Sequence, residues 1–166
     1  FEISLNSWEN LSREAEKKYH IVKDIPYGNT SRATFDVFPS PTPGAKTLVF
    51  IHGGYWQMFD KSSFHFVAGA FAQHGITAVI LNYPLAPAVS MGQIVASCRK
   101  ALHWLNENLE RFNGDPGQIY LSGHSAGGHL AAMLLTTEEE PLNQNYVQGV
   151  CSISGVFDLI PIQRSK

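Results

Sequence analysis

The stretch Gln118-Ile119-Tyr120-Leu121-Ser122-Gly123-His124-Ser125-Ala126-Gly127-Gly128-His129-Leu130-Ala131-Ala132-Met133-Leu134-Leu135 decides the fold. It opens on a short apolar run, passes through Gly123-His124-Ser125-Ala126-Gly127, and continues in small and apolar residues. That order predicts a strand turning sharply into a helix, with Ser125 at the bend. Side chains two positions either side of the serine would collide with the neighbouring strand or helix, so glycines stand there and the hydroxyl is left clear. Alone, the pattern G-x-S-x-G arises by chance in roughly one chain in twenty of this length. Its context raises its weight.

Upstream, Lys46-Thr47-Leu48-Val49-Phe50-Ile51 reads as a buried strand that ends directly in His52-Gly53-Gly54-Tyr55-Trp56. A His-Gly-Gly loop in that place supplies oxyanion-hole amides in esterases of the α/β-hydrolase fold. Gly53, Gly54, Tyr55 and Ala126 are therefore the candidate oxyanion hole, with the amides of Gly54, Tyr55 and Ala126 as donors. Two weak motifs in the right order support each other.

Composition sets the outer bounds. The chain has 166 residues, 44% hydrophobic and 16% charged, which suits one globular core and argues against disorder. Its formal net charge is -2 and it has no run of Lys or Arg, so neither nucleic acid nor an anionic membrane is expected as a partner. No stretch reaches the roughly 18 apolar residues of a membrane span, residues 1–6 lack the regions of a signal peptide, and a cytoplasmic location is expected. The chain does not begin with Met, which leaves a removed leader open. Cys98 falls in a helical pattern and Cys151 in a strand pattern, and both are expected to be reduced and buried.

From Lys46 onward apolar strands alternate with amphipathic helices, the signature of a mostly parallel sheet covered on both faces. Strands are expected at 47–51, 76–81, 118–121 and 147–153, and helices at 61–74, capped by Asp60, and 91–109. Ile94, Cys98, Ala101, Leu102, Leu105 and Leu109 share one face of the second helix, with Arg99, Lys100, Asn106 and Glu110 mainly elsewhere. Before Lys46, residues 8–19 read as a peripheral surface helix capped near Asn6 or Ser7. Residues 20–25 and 33–38 read as an antiparallel pair at the sheet edge, joined by a turn at 26–30. One α/β domain over residues 1–166 is expected.

A serine hydroxyl needs a positioned base, and the base needs a carboxylate to hold its tautomer. In α/β-hydrolases the chain order is Ser, then Asp or Glu, then His. The one histidine after Ser125 is His129, committed to the helix that the turn itself starts. Glu138, Glu139 and Glu140 read as a solvated loop, and Asp158, just past a strand, is a weak candidate acid. About six strands can be placed and the fold needs about two more to carry the acid and the histidine. The expectation is an N-terminal part of a longer enzyme, with both groups outside this chain. A hydrolase-like domain that binds without catalysis is the alternative.

The chain resembles the kynurenine formamidases (arylformamidases), relatives of the hormone-sensitive-lipase-like esterases. His52-Gly53-Gly54-Tyr55-Trp56 is similar to their H-G-G-x-W loop, Gly123-His124-Ser125-Ala126-Gly127-Gly128-His129-Leu130 to their nucleophile elbow. Asn82-Tyr83-Pro84-Leu85-Ala86-Pro87 and the segment 154–161 extend the likeness over about residues 27–162. The resemblance implies that Ser125 attacks the formyl carbonyl of an N-formyl aryl amide, as in hydrolysis of N-formylkynurenine to kynurenine and formate. A broad carboxylesterase acting on small acyl esters is the other enzymatic reading.

Tyr55 and Trp56, on a loop beside the nucleophile, are candidates for an apolar wall that binds the substrate. His52 is expected to pin the loop by a hydrogen bond. His65, His74 and His103 read as surface or packing residues. No metal and no cofactor are implied, since an oxyanion hole made of amides removes the need for a Lewis acid. The expected partner is a small-molecule acyl or formamide substrate, and homo-oligomerisation is left open.

Overall fold

Alternation along the apolar runs sends successive side chains to opposite faces of a sheet. The computed structural model describes residues 2–136 and 147–164, with side chains at 6–136 and 147–162. Its strands are β1 (Val22–Pro26), β2 (Thr34–Phe38), β3 (Ala45–Ile51), β4 (Thr77–Leu81), β5 (Gly114–His124) and β6 (Val147–Ile153). They form one sheet in the order β1-β2-β4-β3-β5-β6. β1 and β2 are antiparallel to each other, β2 is antiparallel to β4, and β4, β3, β5 and β6 run parallel. The expected edge hairpin and parallel sheet are both present.

The helices are α1 (Glu2–Lys18), α2 (His65–Ala72), α3 (Met91–Asn108), α4 (Ala126–Thr136) and α5 (Ile160–Arg164). Short 3-10 turns at Lys61–Phe64 and Leu109–Phe112 precede α2 and follow α3. Asp60 caps the first of these turns, its carboxylate accepting from the Ser62 N–H at 3.1 Å. Ser90 and Gln93 form a reciprocal capping box at the start of α3, satisfying two donors that a helix N-terminus leaves free.

Two apolar layers lie on the two sides of the sheet. Val49, Ile51, Val79 and Leu81 pack with Ile94, Cys98, Leu102 and Leu105 of α3 and with Leu130 and Leu134 of α4. Phe50, Ala78 and Ile80, the alternate positions, pack with Phe64 and with Ala68 of α2. Each fully buried leucine or isoleucine here is worth about 1.5–3 kcal/mol of transfer free energy. β3 lies between β4 and β5, so chain progression reverses direction at β3. Ligands in open α/β sheets bind at such a reversal, outside the carboxyl ends of the strands.

Several sequence expectations are corrected here. Helix α1 runs from Glu2, so Asn6 and Ser7 lie inside it rather than capping it. Nothing in 2–5 breaks a helix, and Asn or Ser caps only where the chain before it leaves helical geometry. Nor is α1 peripheral: Trp8 contacts the rings of Phe64 and Phe66 at 5.7 and 6.2 Å, and Ser12 and Ala15 are buried. Cys98 is buried, but Cys151 is exposed on β6, one of the two edge strands of the described sheet. Arg99 is buried as well. The loop glutamates Glu138, Glu139 and Glu140 lie outside the described residues.

His65 is a larger departure. It is fully buried, with Nδ1 2.7 Å from a Glu16 carboxylate oxygen and Nε2 2.7 Å from a carboxylate oxygen of the buried Asp36. Lys61 joins the same group, its ammonium 2.6 Å from Asp24 and 3.3 Å from Asp36. Burial by itself would lower the Lys61 ammonium, but these carboxylates raise it above the ordinary lysine value. Polar groups from α1, β1, β2 and the turn before α2 thus satisfy one another beneath the sheet edge.

Candidate active site

The parallel register sets the two glycine motifs side by side. Ile51 of β3 pairs with Gly123 of β5 on one side and with Leu81 of β4 on the other. His52-Gly53, His124-Ser125 and Asn82 therefore leave the sheet at the same level. Neither motif contains this information; it comes from the pairing of strands more than seventy residues apart.

Ser125 sits between β5 and α4 with φ of 56°, the left-handed region that a non-glycine residue enters at a cost. Its N–H donates to the Ile153 carbonyl of β6 at 2.9 Å, and its carbonyl accepts from His129 N at 3.1 Å. Both bonds hold the bend. The flanking glycines are required by close approach: a Cβ on Gly123 would meet the Gly127 carbonyl, and one on Gly127 would meet the Ile51 carbonyl. The elbow is thus wedged between β3, β6 and its own helix. Ala126 opens α4, where the N–H groups have no intrahelical acceptor and the helix dipole favours negative charge.

On the other side of the gap, a Cβ placed on Gly53 would lie 2.9 Å from the His124 carbonyl and 3.4 Å from Ser125 Cβ, so the loop backbone touches the elbow. Gly54 has φ of 110°, and its carbonyl accepts from both Gln57 N and Met58 N at 2.9 Å. Tyr55 and Trp56 are also at positive φ, 55° and 59°. This tight, unusual turn points carbonyls back into the loop. The N–H groups of Gly54 and Tyr55 donate to no described residue.

His52 holds the base of the loop. It is fully buried, its ring stacked on Tyr83 at 4.4 Å and on Phe64 at 5.6 Å. Nδ1 is 2.7 Å from the Gly53 carbonyl and Nε2 is 3.1 Å from Asn82 Oδ1. Burial pushes the imidazole down to about 4, so it is neutral at pH 7. The Tyr83 hydroxyl, raised by burial and hence protonated, donates to the His52 carbonyl at 2.9 Å.

Asn82 is the hub behind this base. Its Oδ1 accepts from Lys61 N and from Arg32 Nη2, both at 3.0 Å, and its Nδ2 donates to Asp60 at 2.6 Å. Burial would raise the Asp60 carboxyl, but hydrogen bonds from Asn82 and from Ser62 and the neighbouring Lys61 charge bring it down to about 2. Sequence reading identified Asp60 only as a cap and Asn82 only as part of a resembling segment. Arg32, in a turn, carried no signal.

The remaining sequence candidates fall as follows. Tyr55 is 49% exposed and offers its ring to the open side, while Trp56 is buried beneath it, edge-on at 6.0 Å. Trp56 in turn meets the His129 ring at 5.3 Å and 85°. Trp56 Nε1 and His129 Nδ1 are both buried with no hydrogen-bond partner among the described residues. Burial also lowers the His129 imidazole. Asp158 is exposed and its carboxylate accepts from Ile160 N at 3.1 Å, capping α5. What the described residues bring together is a serine, a set of free amides and a partly exposed tyrosine. Both buried imidazoles near them are engaged elsewhere, His52 with the loop base and His129 with Trp56.

Among the described residues no group of His, Cys, Asp and Glu is arranged to hold a metal ion, and no helix is long and apolar enough to cross a membrane.

Comparison with known proteins agrees with this geometry. Kynurenine formamidase of Danio rerio is 34% identical over 142 residues, covering 84% of this chain and 47% of its own. The kynurenine formamidase of Drosophila melanogaster is 32% identical, covering 89% of this chain and 50% of its own. Esterase LipQ of Mycobacterium tuberculosis is 30% identical, covering 82% and 35%. The chain spans about half the length of the kynurenine formamidases it matches. Among solved structures, a protein described as a thioesterase from Silicibacter sp. TM1040 superposes with a TM-score of 0.85 at 29% identity, over 96% of this chain and 60% of that one. Esterase B from Lactobacillus rhamnosis, at 21% identity and a TM-score of 0.68 over 89% of this chain and 53% of its own, shares the fold. The BD-FAE family model matches residues 36–166, a span that holds both the glycine loop after β3 and the serine elbow after β5, and the chain belongs to that family, on an α/β-hydrolase fold.

Proposed function

We propose that Ser125 is the nucleophile of a serine hydrolase of arylformamidase type, acting on N-formylkynurenine to give kynurenine and formate. The observation that carries this reading is the placement of Ser125, held at a strained bend in contact with Gly53 and next to the first N–H of α4. The serine oxygen adds to the formyl carbonyl as its proton passes to a base. The carbonyl oxygen becomes an oxyanion, and the N–H groups of Gly54, Tyr55 and Ala126 donate to it. The C–N bond then breaks, the aromatic amine leaves with the proton, and water hydrolyses the formyl ester to formate and free serine. Tyr55, exposed on the loop whose Gly53 comes against Ser125, lies along the aromatic ring of the substrate. The base and its carboxylate are not among the groups the described residues bring to Ser125. The kynurenine formamidase relatives support the formamide substrate.

LipQ, an esterase by name, supports a second reading: a carboxylesterase acting on small acyl esters. A cytoplasmic site of action is part of the proposal, supported by two unpaired cysteines, one of them exposed. The test compares N-formylkynurenine with a short-chain aryl ester, using the product of the complete coding sequence and its Ser125→Ala variant. A higher kcat/KM for the formamide, abolished in the variant, is expected. Preference for the ester selects the esterase reading, and failure of a fluorophosphonate to label Ser125 removes both in favour of a non-catalytic binding domain.

A further inference from the structure

Arg32 lies in the turn between β1 and β2, before the segment that the family model matches. Its guanidinium nevertheless reaches the far end of the glycine loop. Nη2 donates to the Phe59 carbonyl at 2.8 Å and to Asn82 Oδ1 at 3.0 Å. Nε donates to the Tyr83 carbonyl at 2.9 Å, and Nη1 lies 3.5 Å from Asp60. The loop that begins at His52 ends at Phe59, itself at φ of 73°. Asn82 and Tyr83, the other two residues Arg32 grips, are those that hold His52 at the loop's start. One side chain therefore ties both ends of the loop to the end of β4.

We propose that Arg32 is a positioning residue for loop 52–59, clamping the Phe59 carbonyl to Asn82 and Tyr83 so that the amides of Gly54 and Tyr55 stay aimed over Ser125. The fork geometry is what the task needs: a planar guanidinium presents donors in several fixed directions, whereas a lysine ammonium is a point on a flexible stem. Its pairing with Asp60 is a minor part, because that carboxylate is 42% exposed and the contact is long. The carbonyl and carboxamide bonds carry the clamp. Phe64 provides the matching support from below, stacked on His52 and tilted at 43° against Trp8 of α1.

This inference rests on the hydrolase reading for its consequence in catalysis, but the clamp can be tested without it. Arg32→Gln and Arg32→Lys are compared with wild type by amide hydrogen exchange and, on the product of the complete coding sequence, by steady-state kinetics. In both variants the hydrogen-bonded loop amides of Gln57 and Met58 should exchange about tenfold faster or more, while those of α4 (Ala126–Thr136) stay within about twofold. A fall in kcat of about 10- to 100-fold with KM within about threefold should accompany this, since misaligned donors cost transition-state and not ground-state binding. Arg32→Lys keeps the charge and should fail to restore either readout. If exchange at Gln57 and Met58 matches wild type, or if α4 loosens equally, the clamp is refuted whatever the activity. If the loop loosens in an active enzyme and kcat holds, the link to catalysis is refuted. Absence of hydrolysis by wild type would instead refute the proposed function and leave the exchange result to decide the clamp.

Discussion

Two glycines with left-handed backbones separate the cost of strain from the cost of a displaced loop. Gly44 has φ of 73° and a Cβ built on it would meet nothing within 4 Å. Gly44→Ala should therefore cost only backbone strain, about 1–2 kcal/mol. Gly54 has φ of 110°, and its Cβ would strike the Met58 carbonyl oxygen and lie 2.7 Å from the Phe59 ring. The carbonyl cannot simply retreat, because Met58 N and Gln57 N are both bonded to the Gly54 carbonyl across the same turn. Gly54→Ala adds an overpacking cost of about 1–3 kcal/mol to a strain cost of about 1–3 kcal/mol, so about 2–6 kcal/mol in all. Urea denaturation of the two variants measures that difference. The rate of Ser125 phosphonylation by a fluorophosphonate, in the product of the complete coding sequence, measures the second consequence: about 10²-fold or more slower for Gly54→Ala, within about threefold for Gly44→Ala. Equal loss of stability in the two variants, or phosphonylation of Gly54→Ala within threefold of wild type, would refute the reasoning.

Three further expectations follow from other parts of the molecule. The Cys98 thiol is buried and pushed up to about 12, whereas Cys151 is exposed; a thiol reagent at pH 8 should titrate one cysteine in the native protein and a second only after denaturation, and prompt modification of both would contradict this placement. The His52 imidazole is held by burial at about 4 against an ordinary 6.5, so the unfolded chain takes up its proton first as pH falls. Stability should then decline by up to about 3 kcal/mol between about pH 6.5 and 4, level off below, and lose this slope in His52→Gln; parallel urea midpoints across pH for the two proteins would count against it. Finally, a polypeptide of residues 1–166 alone should show no triad-dependent turnover, because His52 is engaged at the loop base and His129 packs against Trp56. Ordinary enzyme rates that Ser125→Ala abolishes would show that a base in this segment was misjudged.

The elements were legible wherever local chemistry governs them. Apolar runs and glycine placement located the six strands among the described residues, the serine bend and the His-Gly-Gly loop, because residue preference and steric exclusion act within a few residues. Asp60 was readable as a cap for the same reason. Errors gathered where a residue's environment is made by distant chain. Tyr55 and Trp56 are neighbours in sequence, yet one ring is open and the other is buried against His129. Cys151 sits in an apolar strand, but that strand is an edge of the described sheet. His65 looked like an ordinary helical residue until α1 and β2 placed Glu16 and Asp36 on its two nitrogens.

The same division runs through the site. That Ser125 would stand on a bend, and that Gly54 would turn the chain, followed from residue type and order. That the adjoining Gly53 comes against Ser125 required β3 to pair with β5 in the register that sets Ile51 against Gly123. That Arg32 would grip Phe59, Asn82 and Tyr83 required the β1–β2 turn to fold over the end of β4. Local sequence specifies conformations because sterics and nearest-neighbour hydrogen bonds are short-ranged. Which conformations touch is set by strand pairing and by burial of the two apolar layers, which depend on the whole chain at once.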